Sequence, residues 1–487
     1  MVCLIVAPLL LALAAFVSGG KWNAWLGGAA AVSVVTGAVV VSWLVWHQGP
    51  QLYRLGGWQV PLGIRLMADG LSCVMLLMSA AVGTTVSFYA ISFFKGDQPG
   101  QFWPLWLMLW SAINALFLSA DVFNMYVALE MTTLTGVGLV ILAGTHQANE
   151  AALRYLLVAL AGSLLFLAGV TLMYGAYGAL DIETISLRAT GGVPMVGVLL
   201  LVMLGLMLKT ALFPFHFWLP PAHGSALPPV SALLSALVVS VSFYVLLRLW
   251  FDLFPAEVTR SVAILPAALG SVAIVWGSAQ AIIAPRMKML VAYSTVAQVG
   301  YLFLIFGLAD RTSEIGFEAW SGGVLFVVSH ALAKGALFLA AGTIIRFAGH
   351  DRIKDLAPVA RRLPITFFSV ACASVSLMSL PPTAAFTAKW SLLKVAIDQG
   401  RFELAVIMIV GGLLAAGYLF RLLVAAFNAT ADGQVGPPQA AVPRLLEYST
   451  LALALISLLL GFVTWPLIEL LWIGSPWQDL VIEGAAS

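Results

Sequence analysis

Charged residues are scarce in this sequence. Only 9% of its 487 residues are Asp, Glu, Lys or Arg, whereas 62% are hydrophobic, and the mean hydropathy is +1.02. Because soluble globular domains carry about 25% charged residues, this chain has too few charges to cover a water-exposed surface of its own size. We therefore predict an integral membrane protein. The formal net charge of +2 gives no indication of nucleic-acid binding.

Cysteine is also rare, and Cys3, Cys73 and Cys372 each lie alone in an apolar stretch. The sequence contains no CxxC pair, which argues against an iron–sulfur centre, a structural zinc site or a disulfide framework. It contains no haem motif or nucleotide-binding loop either. We expect no cofactor and no metal bound by the chain itself, so that any redox chemistry would belong to a partner.

Long apolar stretches, in contrast, are abundant. A spanning helix needs about 20 apolar residues, and none of the stretches shows the ~10-residue alternation of a membrane β-strand. The first one starts without a basic leader and has no clear cleavage site, so we expect a retained helix. The sequence predicts an all-α polytopic membrane protein with about fourteen segments, at residues 2–19, 24–46, 67–94, 103–120, 122–144, 151–178, 193–222, 228–253, 261–284, 289–309, 321–348, 364–398, 402–428 and 445–474.

Two of these segments are interrupted by proline near their middles. Pro214 breaks the seventh segment, and Pro381–Pro382 breaks the twelfth. Discontinuous helices in corresponding positions of two halves indicate a transport site formed by inverted repeats. We predict four parts: three N-terminal helices in 1–102, five-helix repeats in 103–253 and 261–428, and a C-terminal helix in 429–487.

Basic residues are unevenly distributed among the loops. The odd-numbered loops hold twelve Lys and Arg residues, and the even-numbered loops hold eight. Loops rich in Lys and Arg tend to stay in the cytoplasm. The bias therefore predicts a multi-pass protein of a prokaryotic-type inner membrane with both termini on the non-cytoplasmic side.

Four charged residues lie inside predicted segments, namely Glu130, Lys209, Lys334 and Lys389. Each charge at the centre of a helix costs about 2.5–3.5 kcal/mol on insertion scales, so four unpaired charges would cost roughly 10 kcal/mol. This cost makes them candidates for a function in transport. The structural alternatives are an ion pair of Glu130 that fixes helix packing, and snorkelling of Lys209 and Lys389 towards water.

Histidines accompany these charges. His330 lies one turn before Lys334 on the same helix face. Two basic groups at such a short distance repel each other when both are charged, so this pair is suited to passing a proton. The alternative is a histidine bonded to a carbonyl and a lysine that reaches an anionic partner. His216 and His223 flank the first break, and their spacing matches no common metal site. We expect them either on a proton path or as caps on the carbonyls freed by the break.

Seven stretches carry a family resemblance. In chain order they are DGLSCVMLL (69–77), DVFNMYVALEMTTLTGVGLVILAG (121–144), LKTALFPFHFWLPPAH (208–223), PPVSALLSALVV (228–239), MKMLVAYSTVAQVGY (287–301), SHALAKGALFLAAG (329–342) and LPPTAAFTAKWSLL (380–393). Together they resemble the antiporter-like subunits shared by respiratory complex I, membrane-bound hydrogenases and Mrp-type cation/proton antiporters.

This resemblance implies a fourteen-helix core with two inverted five-helix repeats and a central hydrophilic axis. It implies that Glu130 pairs with Lys209, that His330 and Lys334 form the central region, and that Lys389 is the charged residue of the second broken helix. The function implied is translocation of H⁺, and of Na⁺ in the Mrp type, by one subunit among other membrane subunits. Such a subunit has no redox centre of its own, although its host can be a translocating oxidoreductase.

Two positions depart from the family pattern. Family members usually carry a lysine in the eighth helix, where this chain has Ser240. A proton link from Lys209 to His330 would then need water held by Ser240, Ser242 or Tyr244. The alternative is a non-conducting membrane scaffold derived from the same family. The second departure, Ala385 in place of a glycine after the proline pair, is expected to matter little.

Overall fold

Helices make up most of the computed structural model, which describes residues 1–20, 22–58, 63–94, 100–189, 193–428 and 439–478. The α-helices are α1 (Val2–Val17), α2 (Asn23–Gln48), α3 (Gly70–Phe93), α4 (Phe102–Leu118), α5 (Val122–Ile141), α6 (His146–Tyr177), α7 (Ile182–Arg188), α8 (Val193–Lys209), α9 (Leu219–Ser225), α10 (Pro228–Leu233), α11 (Val239–Arg248), α12 (Ala256–Val262), α13 (Ile264–Ile283), α14 (Met287–Leu308), α15 (Glu314–Ala348), α16 (Leu356–Arg362), α17 (Pro364–Leu377), α18 (Ala384–Asp398), α19 (Phe402–Phe427), α20 (Arg444–Leu459) and α21 (Thr464–Trp472).

The predicted helical membrane fold is confirmed. Within the described residues, ten helices are long and apolar enough to cross a membrane, and α1, α4, α8 and α17 are shorter apolar helices. Each of the fourteen predicted segments overlaps one of these helices. Two of the ten are composite. A π-helical turn at Leu234–Val238 joins α10 to α11 and a second one at Leu249–Leu253 extends α11, and α20 continues into α21. The count of fourteen membrane crossings stays a prediction.

Contacts between connections show how the segments alternate. Arg65, which follows the second segment, forms an ion pair with Asp181, which follows the sixth, with 2.9 Å between Nε and Oδ2. In the same way, Arg286 follows the ninth segment and pairs with Asp351, which follows the eleventh, at 2.7 Å. In both cases two even-numbered or two odd-numbered connections meet, as an antiparallel bundle requires.

A short β-hairpin connects α2 to α3. Strand β1 (Gln51–Arg54) pairs antiparallel with β2 (Arg65–Ala68). These strands are not predictable from the sequence, because four residues are too few to show a reliable alternation. The hairpin positions Asp69, whose side chain accepts a hydrogen bond from the Ser72 amide and caps the start of α3.

The two predicted breaks are present. The seventh segment is interrupted between Lys209 and Leu219, and the twelfth between Leu377 and Ala384. Proline explains both interruptions, since its ring excludes the preceding turn and it has no amide hydrogen to donate.

The backbone follows the same pattern at both breaks. Each contains a non-glycine residue with positive φ, Ala211 at 56° and Ser379 at 57°. The amide of the next residue then donates to the carbonyl five residues back, at 3.1 Å for Leu212 and 3.2 Å for Leu380. This correspondence supports the predicted relation between residues 103–253 and 261–428, which stays a prediction.

The centre of the bundle is formed by the eighth and eleventh segments. Residues 228–251 and 319–344 are buried along their whole length. The polar side chains of these two stretches therefore meet only protein atoms or enclosed water.

Candidate functional site

Glu130 and Lys209 meet next to the first break. Lys209 is the last residue of α8, and its Nζ lies 3.4 Å from Oε1 of Glu130 on α5. The same ammonium donates to the Thr133 hydroxyl at 2.8 Å, and the Ser163 hydroxyl donates to Glu130. The lysine side chain is 4% exposed and the glutamate side chain 20%. The structure thus brings the predicted pair together, and the hydroxyls of Thr133 and Ser163 complete a polar cluster that the sequence analysis missed.

The break beside this pair is closed by aromatic side chains. The indole Nε1 of Trp218 donates to the Leu208 carbonyl at 3.0 Å, which satisfies an acceptor at the end of α8. The Trp218 ring stacks on Tyr155 of α6, with 4.4 Å between the centroids. Trp218 therefore holds the broken segment against α6 at this point.

His330 and Lys334 lie in the buried part of α15. Lys334 donates from Nζ to the Val291 carbonyl at 3.0 Å and to the Ser294 hydroxyl, both on α14. Neither ring nitrogen of His330 has a hydrogen-bond partner within the described chain. Buried polar atoms are normally hydrogen-bonded to protein or to ordered water, so His330 is a position where an enclosed water molecule is expected.

Lys389 occupies an aromatic site beyond the second break. Its Nζ is buried and has no hydrogen-bond partner among the described residues. It lies 3.9 Å from the ring centroid of Tyr301 and 5.4 Å from that of Phe326. A desolvated cation–π contact contributes about 2 kcal/mol, so these rings stabilise the ammonium without neutralising it. The lysine therefore does not snorkel.

One face of α14 links the two lysines. Ser294, Gln298 and Tyr301 follow each other at helical spacing on that face. The first accepts a hydrogen bond from Lys334, and the third lies under Lys389. We call these three residues the α14 polar face.

Gln298 is the middle residue of the α14 polar face. Its Nε2 donates to the Tyr418 hydroxyl at 3.3 Å and to the Leu377 carbonyl, at the end of α17, at 3.4 Å. Its Oε1 is buried and has no partner among the described residues. The amide thus touches the second break and leaves one acceptor available to water or to a proton donor.

The side chains expected to replace the eighth-helix lysine are engaged elsewhere. The Ser240 hydroxyl donates to the Ala236 carbonyl at 2.8 Å, and the Ser242 hydroxyl donates to the Val238 carbonyl at 3.3 Å, both within the same helix. The Tyr244 hydroxyl donates to a carbonyl of α4 at 2.9 Å. Their participation in a water path stays a prediction.

A different hydroxyl pair crosses from the eighth segment to α14. Ser235 lies in the first π-helical turn, and its Oγ is 3.0 Å from the Thr295 Oγ1. Thr295 follows Ser294, the hydroxyl that accepts from Lys334. This contact could not be predicted from sequence, because serine and threonine are common in membrane helices and only packing identifies their partners.

The two histidines that flank the first break have different surroundings. His216 accepts at Nε2 from the Trp276 indole, 3.1 Å away, on the exposed side of the bundle. His223 is buried, and its ring stacks on Phe338 of α15 at 4.9 Å. Of the two, His223 is the one directed towards the central helices.

Two basic residues assigned to loops are in fact buried. Arg248 donates from Nη2 to Oδ1 of Asp69 at 2.8 Å and from Nη1 to Asp252 at 2.8 Å, and it is 2% exposed. Lys288 donates to the Ala226 carbonyl at 2.6 Å and is also 2% exposed. Burial inside the bundle is therefore not confined to the basic residues that the sequence places within segments. Arg248 counts with an even-numbered loop and Lys288 with an odd-numbered one, so leaving both out does not change the difference that predicts orientation.

The fold and the site together define a polytopic helical membrane protein with two discontinuous helices and a series of buried basic side chains. The family described as "NADH:quinone oxidoreductase/Mrp antiporter, TM" matches residues 119–415. The chain belongs to this family, as its motifs predicted.

Individual relatives agree with this assignment. The chain is 34% identical over 409 residues to the N subunit of the NADH-quinone oxidoreductase of Desulforudis audaxviator, with 82% of this chain and 80% of that protein covered. It is 27% identical over 466 residues to the D subunit of the Na(+)/H(+) antiporter of Bacillus subtilis, with 94% and 90% covered. A chain in the structure of the Mrp complex from Dietzia sp. DQ12-45-1b has the same fold, with a TM-score of 0.87, 23% identity and 97% of each chain covered.

Proposed function

We propose that this chain is a proton- and cation-translocating subunit of a multisubunit membrane complex. It is most like the D subunit of an Mrp-type Na⁺/H⁺ antiporter or the equivalent subunit of complex I or a hydrogenase. The observation that carries the proposal is the Lys209–Glu130 pair, 3.4 Å apart beside a broken helix. A loosely paired lysine at an interruption in the membrane is suited to binding and releasing a proton, because both its partner and its hydration can change.

The buried groups suggest the order of the path. Protons would pass from Lys209 to the central His330 and Lys334, and the Ser235–Thr295 contact supports this crossing because it joins the eighth segment to α14 at 3.0 Å. Hydroxyl groups can relay a proton, since each both donates and accepts a hydrogen bond.

The second half of the path would follow the α14 polar face from Lys334 to Lys389. Its support is the hydrogen bond to Ser294 at one end and the ring of Tyr301 at the other. Lys389 would be the terminal proton site, opening towards the non-cytoplasmic side in the orientation that the loop charges predict. The break at residues 378–383 precedes it, and freed backbone groups there favour hydration.

The alternative function is a membrane scaffold that no longer conducts. One observation favours it: Ser240 stands where the family usually has a lysine, and its hydroxyl is bonded to its own helix. The path between Lys209 and His330 then lacks a titratable group on the eighth segment. In that case the buried lysines would serve packing and would tolerate neutral replacements of similar size.

Purification of the tagged chain with its native complex tests the proposal. Mass spectrometry of the co-purified subunits would identify the host, as small Mrp subunits or as hydrogenase or quinone-module subunits. The complex is then reconstituted in vesicles, and proton movement is recorded with a pH-sensitive dye after a Na⁺ or K⁺ pulse, or during turnover for a redox host. Proton flux that depends on Lys209 supports translocation, whereas an assembled complex whose flux is unchanged in Lys209→Ala identifies the scaffold.

A further inference from the structure

The middle of helix α19 carries a single polar side chain. From Leu404 to Phe420, only Tyr418 can donate a hydrogen bond from its side chain. This tyrosine is completely buried, with 0% of its surface exposed. Because burying a hydroxyl group without a hydrogen-bond partner costs free energy, the groups around the Tyr418 hydroxyl indicate what it does.

The Tyr418 hydroxyl lies between two residues of the α14 polar face. Gln298 donates to it from Nε2 at 3.3 Å, and the Ser294 hydroxyl is close enough to interact with it as well. Ser294 and Gln298 are separated by about 6 Å along the helix axis. No hydrogen bond joins their two side chains in the part of the chain that the structure describes. Tyr418 therefore bridges an interval that α14 itself leaves open.

The orientation of the Gln298 amide leaves the Tyr418 proton available. A carbonyl oxygen can only accept, so the contact of 3.4 Å with the Leu377 carbonyl requires that Nε2 of Gln298 faces that side. The same Nε2 faces the Tyr418 oxygen, which accepts from it. Tyr418 can therefore donate its own proton to another acceptor. The Oε1 of Gln298 is buried without a partner among the described residues, so it is a position for enclosed water.

A second tyrosine holds α19 against the α14 polar face. The Tyr301 hydroxyl donates to the Met408 carbonyl of α19 at 2.8 Å. Gly411 allows this close approach, because a Cβ atom at that position would lie 2.4 Å from the Tyr301 hydroxyl. The proton of Tyr301 is thus engaged in a bond between the two helices. Of the two tyrosines, Tyr418 is the one whose proton is available for transfer.

We propose that Tyr418 relays protons between the central lysine and the second break. This inference rests on the proposed function and adds one residue to its path. Lys334 gives a proton to the Ser294 oxygen, to which it already donates a hydrogen bond. The Ser294 hydroxyl turns from the Val291 carbonyl and passes its own proton to Tyr418. Tyr418 then passes its proton to water at Gln298. One proton leaves the lysine and one reaches the water, so both hydroxyl groups are neutral before and after the transfer.

Tyr418→Phe tests the relay because it removes the hydroxyl and keeps the buried ring. In vesicles that contain the purified complex, proton flux per assembled complex should fall about tenfold, the factor that corresponds to one net hydrogen bond. Tyr89→Phe is the matched control. Tyr89 is also 0% exposed, and its hydroxyl donates to the Leu339 carbonyl at 3.1 Å. This control removes an equally buried hydroxyl outside the proposed path, so it should leave the flux unchanged.

Ser294→Ala separates a relay from a packing defect. If protons pass through both hydroxyls in series, the double variant that carries Ser294→Ala and Tyr418→Phe should be no slower than Ser294→Ala alone. Independent packing defects would add their free energies, so a clear further fall in the double variant would overturn the proposal. Wild-type flux in Tyr418→Phe would also overturn it, and so would a Tyr418→Phe chain that no longer assembles while Tyr89→Phe does.

Lys209→Ala, measured in the same vesicles, distinguishes a failure of this inference from a failure of the proposed function. Unchanged flux in Lys209→Ala would remove translocation itself, and the relay with it. Loss of flux in Lys209→Ala together with wild-type flux in Tyr418→Phe would remove only Tyr418 from the path. We expect a loss of flux in both variants and wild-type flux in Tyr89→Phe.

Discussion

Glu130→Gln is expected to disable the Lys209 site while the chain still folds. The carboxylate oxygen lies 3.4 Å from an ammonium that is only 4% exposed. Removing one partner of a buried ion pair costs about 3–5 kcal/mol, because the remaining charge is left uncompensated. We take the lower end, about 3 kcal/mol, since the glutamate side chain is 20% exposed and Thr133 still accepts from the lysine at 2.8 Å. At 1.4 kcal/mol per factor of ten, the charged state of Lys209 becomes roughly a hundredfold harder to populate.

The assay is initial proton flux in vesicles that contain the purified complex. Glu130→Gln should reduce this flux to a small percentage of the wild-type rate, and Glu130→Asp should restore part of it because the charge is kept. Glu150→Gln serves as the control, since Glu150 is an exposed acid whose only ion pair is with exposed His146 in the described structure. Wild-type flux in Glu130→Gln, with all subunits assembled, would refute a functional role for the pair.

Three further predictions concern the rest of the path. Gln298→Leu removes hydrogen bonds to Tyr418 and to the second break, so proton flux should fall about tenfold for a net loss near 1.4 kcal/mol. Gln298→Glu should retain more of the flux, and equal fluxes in both variants would exclude a relay at this position. Ser240→Lys should keep or raise flux if protons cross near this position, whereas a scaffold would show no change or would fail to assemble around the new buried charge. Lys389→Ala should abolish flux, and Lys389→Glu should retain part of it. A cysteine at 389 should react with a polar thiol reagent added from the non-cytoplasmic side, and labelling only from the cytoplasm would reverse the predicted orientation.

Some parts of the site could be predicted because their signals are local. A charge such as Lys209 stands out in an apolar stretch, and Pro214 interrupts that stretch without reference to any neighbour. The motif order then implied the pairing of Lys209 with Glu130, and the distance of 3.4 Å agrees with it.

Other parts depend on packing and were missed. Gln298 and Tyr301 are ordinary helix residues in the sequence, and they join the site only because α14 lies between Lys334 and Lys389. Arg248 was assigned to a loop because it stands near a helix end. Its burial follows from Asp69, 179 residues away, which forms an ion pair with it. Partners so far apart in the sequence cannot be identified from short stretches of the chain read one at a time.

The β-hairpin was missed for a related reason. Its four-residue strands carry no distinctive alternation, and β1 is mostly exposed. The pairing depends on the positions of α2 and α3, which bring the two strands together. Whether a short strand forms between membrane helices thus depends on the neighbouring helices rather than on the residues of the strand itself.

Lys209→Ala in the reconstituted complex distinguishes proton translocation through this lysine from a scaffold role. The matched control is Lys394→Ala, which removes an exposed lysine paired with Glu318 at 2.9 Å. We expect background proton flux in Lys209→Ala, wild-type flux in Lys394→Ala and the same subunit composition in both. Wild-type flux in Lys209→Ala would contradict translocation through this lysine and leave the chain a membrane scaffold.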